Sequence, residues 1–169
     1  MCGLRPAGQI ERLGTIPGVS RRPAEVLVAE VGTDMGRFPD AGHLASGAGM
    51  CPGNRDSAGR SQGGRTRPGN PWLKAALVEA AWAASHTQGT YLSGLYHRVA
   101  RRRGKKRASV AVGHAILRAA YYLLCDPARE YLDRGADHHD NLHREQTKRR
   151  LIGRLEALGL KVTVEEAAA

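Results

Sequence analysis

ASVAVGHAILRAAYYLLC, residues 108–125, is apolar on nearly every side of a helical wheel. A surface helix shows one apolar stripe, whereas a helix that is apolar all round is enclosed by its neighbours. The stretch is therefore expected to form a buried central helix. The segments on either side must supply the layer that covers it.

Upstream, Asn70 followed by Pro71 reads as a helix start, a capping residue and then a proline at the first helical position. Leu73, Ala76, Leu77, Ala80, Ala81 and Ala84 follow at helical spacing, to about residue 86. So many alanines on one face imply close helix–helix packing. A second helix is expected over Tyr91–Arg103, with Leu92, Leu95, Tyr96 and Val99 as its stripe. Further out, residues 13–32 open with a tight turn at Pro17-Gly18 between Ile16 and Val19. Ser20 is the expected cap of a short helix ending at Gly32. Residues 33–50 read as a turn and a short helix that pack Met35, Phe38 and Leu44 on the core. Downstream, residues 141–159 form an amphipathic pattern with Leu151, Ile152, Leu155 and Leu158 on one side, and LKVTVEE suggests a short strand. The expected fold is mainly α. It has a helix-hairpin-helix-like N-terminal unit, a Gly/Arg-rich loop, a bundle of three to four helices and a short C-terminal strand. Residues 1–12 read as an N-terminal remnant or linker, 13–125 as the principal domain, and 126–169 as an amphipathic helix and tail.

A chain of 169 residues with 41% hydrophobic side chains can bury a real core. Aromatic residues make up only 5%, which argues against a stacking platform for single-stranded nucleic acid. No apolar run is expected to span a bilayer, and residues 1–14 lack the apolar centre of a signal peptide. Cys2, Cys51 and Cys125 are far apart and odd in number, the pattern of reduced thiols in a cytoplasmic protein. The formal charge is +10, and its distribution is informative. Residues 1–50 carry five basic and five acidic side chains, and residues 126–169 carry eight and nine. Residues 51–125 carry thirteen and two, a net +11. Charge concentrated in this way points to a surface for a polyanion.

Three stretches are candidates for chemistry. RVARRRGKKR, residues 98–107, holds seven basic residues and no acid, including Arg101, Arg102, Arg103, Lys105 and Lys106. It reads either as a solvated loop between helices or as a contact to a nucleic-acid backbone. DHHDNLH places His139 and His143 four residues apart beside Asp140, a spacing that suits either surface histidines or metal ligands. No metal site is expected there. CPGNRDSAGRSQGGRTRPGN, residues 51–70, is too polar and glycine-rich to build a core. It is either a flexible linker or a loop for handling phosphate. Arg55, Arg60, Arg65 and Arg67 could neutralise a phosphate, and Ser57 could attack one if a base or metal activated its hydroxyl. Asp56 and His43 are the nearest bases in sequence. The Pro17-Gly18 turn offers a further phosphate contact through Gly18, Ser20 and Arg21, as helix-hairpin-helix motifs do, or else is a packing turn with no ligand.

In order, TIPGVSRRPAEVLVAEVGTDMGRFPDAGHLASGAGMCPGN, SAG, GNPWLKAALVEAAWAA and RRRGKKRASVAVGHAILRAAYYLL resemble the C-terminal, serine-bearing half of bacterial insertion-sequence transposases of the IS110/IS116 type. The resemblance covers roughly residues 13–160. It implies a DNA recombinase in which a serine attacks DNA to form a covalent phosphoserine link. The matching serine is Ser57, a few residues after Gly49-Met50-Cys51-Pro52 and followed by Ala58-Gly59. The resemblance also implies binding to element-end and target DNA, a structured guide RNA, homo-oligomers, and a location at the bacterial nucleoid. It implies no cofactor in this chain, since the family's magnesium belongs to an acidic nuclease domain that precedes this half. The chain begins almost at the hairpin, so a fragment with incomplete chemistry is expected. Gly47 stands where the family usually has tryptophan. The alternative reading is a non-catalytic helix-hairpin-helix-type module that binds DNA.

Overall fold

The computed structural model describes residues 6–51, 56, 57, 60, 61, 66, 68–142 and 144–163. The chain divides after Ala136 into two compact units. The first contains helices α1 (Pro6–Leu13), α2 (Arg21–Val31), α3 (Ala41–Gly47), α4 (Pro71–His86), α5 (Tyr91–Arg103) and α6 (Lys105–Cys125), with a 3-10 turn at Met35–Arg37. Strands β1 (Asp56–Ser57) and β2 (Arg60–Ser61) pair antiparallel between α3 and α4. The second unit contains α7 (His138–Leu142) and α8 (Arg144–Glu156).

The mainly helical architecture follows from local chemistry. Asn70 Oδ1 accepts the backbone N–H groups of Trp72 and Leu73 at 3.0 and 3.1 Å, closing the start of α4. The six apolar positions expected on its inner face are all buried. Thr90 caps α5 by accepting from the Ser93 amide. Helix α6 is the centre, packing against α5, α4, α3 and α1, with Val112, Ile116 and Leu117 wholly buried. The small residues let the helices approach closely: a Cβ on Gly113 would meet Met50 Cε at 2.5 Å and the Leu77 carbonyl at 3.2 Å.

Four features differ from the sequence expectations. Residues 6–13 are a helix integrated into the core. Leu13 is wholly buried, and Arg12 Nη2 donates to the carbonyls of Asp126 and Arg129 at 2.8 and 2.7 Å. Residues 126–136 belong to the first unit, where Asp133 Oδ1 accepts the Tyr91 and Gly135 amides. Helix α6 begins at Lys105 and is long and apolar enough, by length and composition, to cross a membrane, contrary to the expectation of no such run. Half of that window is buried within the fold, as a core helix requires. Residues 160–163 form no strand, and 164–169 lie outside the described residues. In the second unit, the expected amphipathic helix corresponds to α7 and α8, which lie on either side of residue 143, itself outside the described residues. Leu151, Leu155 and Leu158 are exposed.

Candidate nucleic-acid interface

The loop that carries Ser57 has its two ends held together. A Cβ on Gly69 would collide with the backbone of Ala48 and Gly49, so the chain leaves and re-enters the core at one point. Only glycine permits that approach. Asn70 Nδ2 also donates to Glu30 Oε2, fastening the returning strand of the loop to α2. Lys74 Nζ donates to Thr66 Oγ1 at 2.7 Å, so the first turn of α4 reaches back to the loop. Within it the strand register pairs Ser57 with Arg60 and Asp56 with Ser61. Of the other candidates, Arg55, Arg65 and Arg67 lie outside the described residues. Cys51, at the loop's first position, is half-buried, and both it and the exposed Cys125 are free thiols.

His43 lies on α3, exposed, with Nδ1 3.0 Å from Asp40 Oδ1. The same carboxylate accepts the His43 amide and caps the helix. Those two hydrogen bonds, the backbone one first, hold the Asp40 carboxyl below its ordinary range.

The basic run is not a loop. Arg101, Arg102 and Arg103 form the last turn of α5, and Lys105, Lys106 and Arg107 form the first turn of α6. Gly104 alone turns the corner, at φ 83°, with its amide bonded to the Ala100 carbonyl at 3.0 Å. All seven residues are exposed, and among the described residues none of the six cations is ion-paired with a carboxylate. The two turns differ energetically. Cations at the C-terminus of α5 complement the helix dipole, whereas cations at the N-terminus of α6 oppose it. That turn has no acidic residue and no side-chain cap. A bound polyanion would relieve the mismatch.

The turn at Pro17-Gly18 is occupied differently. Gly18, at φ 84°, presses against α4: a Cβ there would collide with the Ala80 carbonyl and lie 2.5 Å from the Ala84 amide nitrogen. Packing alone accounts for this glycine. Ser20 is an exposed helix cap whose side chain makes no capping hydrogen bond. Arg21 Nε is bonded to Glu25 Oε1 at 2.8 Å. Among the described residues, no three His, Cys, Asp or Glu side chains converge on a common point. His143 is outside those residues, so the His139 and His143 pair is not placed.

Two tryptophans stand outside the sequence expectations. Trp72 is 73% exposed and Trp82 60% exposed, both on α4. The signal was present: at 100° per residue, Trp82 falls about 160° from the centre of the buried stripe. A core tryptophan would lie on the stripe.

Comparison with known proteins bears on the same part of the chain. The family model described as "Transposase IS116/IS110/IS902 family" matches residues 10–98, just over half of the chain. It takes in the Pro17-Gly18 turn, the serine loop and the whole of α4. The chain is also similar to "Insertion element IS110 uncharacterized 43.6 kDa protein" from Streptomyces coelicolor, 41% identical over 95 residues. That alignment covers 55% of this chain and 22% of the relative, so the chain matches about a fifth of that protein's length. With the matched residues running from α1 through the loop and both walls of the α4–α5 pair, the chain belongs to the IS116/IS110/IS902 transposase family.

Proposed function

We propose that the chain acts in DNA transposition as the serine-bearing, nucleic-acid-binding domain of an insertion-element transposase. The observation that carries this is the loop pinned between Gly49 and Gly69, which lies inside the family match and sets Ser57 opposite Arg60 in a strand pair. The Ser57 hydroxyl attacks the phosphorus of a DNA phosphodiester. A serine–phosphate ester forms, the P–O bond to one deoxyribose breaks, and the proton lost by serine goes to the departing hydroxyl. Arg55, Arg60, Arg65 and Arg67 neutralise the charge that builds on the phosphate oxygens. The basic corner at 101–107 tracks the backbone of the same duplex. Bound guide RNA and assembly of several copies complete the reading. In this reading the magnesium that the family resemblance implies is held by the acidic nuclease domain.

The ester is the measurable consequence. In a complex reconstituted with the acidic nuclease domain, the element's RNA and matching DNA, a detergent-resistant protein–DNA adduct is expected on a denaturing gel. Ser57→Ala abolishes it and keeps duplex affinity within a few-fold, since one hydroxyl contributes about 1 kcal/mol to such an interface. Ser61→Ala leaves the adduct in place. An adduct that persists in Ser57→Ala would assign the chemistry to another residue. A cleavage-competent complex that never forms one would leave only the DNA-binding module.

A further inference from the structure

A groove of about 800 Å³ runs between α4, α5 and the first turn of α6. Its lining includes Trp82, His86, Tyr96, His97, Lys105 and Lys106, and no carboxylate is among the lining residues. The Trp82 ring stands over that of His86, centroids 4.5 Å apart and tilted by 58°. The wall is fixed by its own hydrogen bonds. Ser85 Oγ donates to the Trp82 carbonyl at 2.6 Å, and His86 Nδ1 lies 2.9 Å from the same oxygen. Ser93 Oγ donates to the Ser85 carbonyl at 3.1 Å, and His97 Nε2 is 3.2 Å from it. The groove therefore offers a largely exposed indole on a wall fixed by hydrogen bonds, with Lys105 and Lys106 among its lining residues. An aromatic plane beside paired cations suits a base with its attached phosphate.

A base inside a duplex has both faces covered by its neighbours and cannot use such a plane. We propose that this groove holds one unpaired DNA base, stacked on Trp82 with its phosphate between Lys105 and Lys106. The inference rests on the DNA-transposition reading above and adds to it a place for a nucleotide displaced from the duplex. Its position is consistent with that role. Trp82 lies twelve residues along α4 from Asn70 at the loop's base, about 18 Å at 1.5 Å per residue. That is the span of about five nucleotides at 3.4 Å each. An enzyme that exchanges strands opens the duplex near the broken phosphodiester, which supplies unpaired bases.

The test uses the chain's own fluorescence. The protein has two tryptophans, so Trp72→Phe leaves Trp82 as the sole reporter. This chain is titrated with a thymidine DNA oligomer of about 12 nucleotides, with a uridine RNA oligomer of equal length, and with a blunt DNA duplex. The DNA oligomer is expected to quench Trp82 saturably. Read by the fluorescence anisotropy of an end-labelled oligomer, Trp82→Ala should weaken single-strand binding about tenfold, Trp82→Phe should retain most of the affinity, and duplex affinity should change by less than about twofold. Trp82 is largely exposed, and unchanged helical circular dichroism verifies that the variants fold. An unquenched Trp82, or equal losses on single strand and duplex, overturns the proposal while leaving the transposition reading intact. Tighter binding of the RNA oligomer overturns the assignment to DNA. Failure of wild-type protein to bind any of the three overturns both.

Discussion

A methyl group at Gly18 would have to enter space held by the Ala80 carbonyl and the Ala84 side chain, at a backbone φ of 84° that L-residues rarely adopt. Both effects act in the same direction. Overpacking costs about 1–3 kcal/mol, and the left-handed conformation adds about 1 kcal/mol. Gly18→Ala is accordingly expected to lower the unfolding free energy by about 2–4 kcal/mol, read as an earlier urea midpoint. At a urea-free temperature where the variant is folded, duplex affinity should stay within about twofold of wild type. A folded variant with lost affinity would instead make this turn a phosphate contact. Single residues also explain part of what the sequence conceals. Arg12 lies in a stretch that reads as a linker, and its partners are the carbonyls of Asp126 and Arg129, more than a hundred residues downstream. No local pattern records a bond over that separation.

Among the elements, α4 and α5 were legible because their signals are local: Asn70-Pro71 at the start of α4, and apolar residues at helical spacing in both. The start of α6 was not legible. Lys105, Lys106 and Arg107 at a helix N-terminus run against the dipole preference, so the sequence rule places the boundary at Ala108, the first buried residue. The conflict itself is informative, since positions that break a stability rule are where function is expected. Lys105→Glu with Lys106→Glu should therefore do two opposite things. The fold gains about 0.3–1 kcal/mol per substitution from the improved first turn, measured as a higher melting temperature. Duplex binding weakens, and the log–log dependence of affinity on salt flattens by roughly 2, about one phosphate contact for each lysine removed. A melting temperature that rises with no change in the salt slope would make the corner a solvated surface. The hairpin of β1 and β2 was illegible for a different reason: its four residues sit among glycines and arginines, with no alternation of apolar side chains to mark a strand.

For the molecule as a whole, stability is expected to depend on pH through His114 on the central helix. Burial, with the Arg118 charge as a second cause, holds its pKa below the ordinary 6.5. Between that lowered value and 6.5, the unfolded chain takes up a proton that the folded chain refuses. The contribution is thus fully present above pH 6.5 and falls away as pH drops through the window. Melting temperatures measured between about pH 7.5 and 5.5 should decline, and His114→Gln should reduce the slope. An identical slope in the variant would assign the decline to other groups. One further property follows from the joining of Ala48 and Gly49 to Gly69. A loop whose ends are fixed at a single point can change length with little effect on what it is mounted on. Each doubling adds only about 0.6 kcal/mol of closure entropy. The span between Cys51 and Gly69 is thus a natural site for insertion and deletion, where relatives can differ in length while inheriting the helices unchanged.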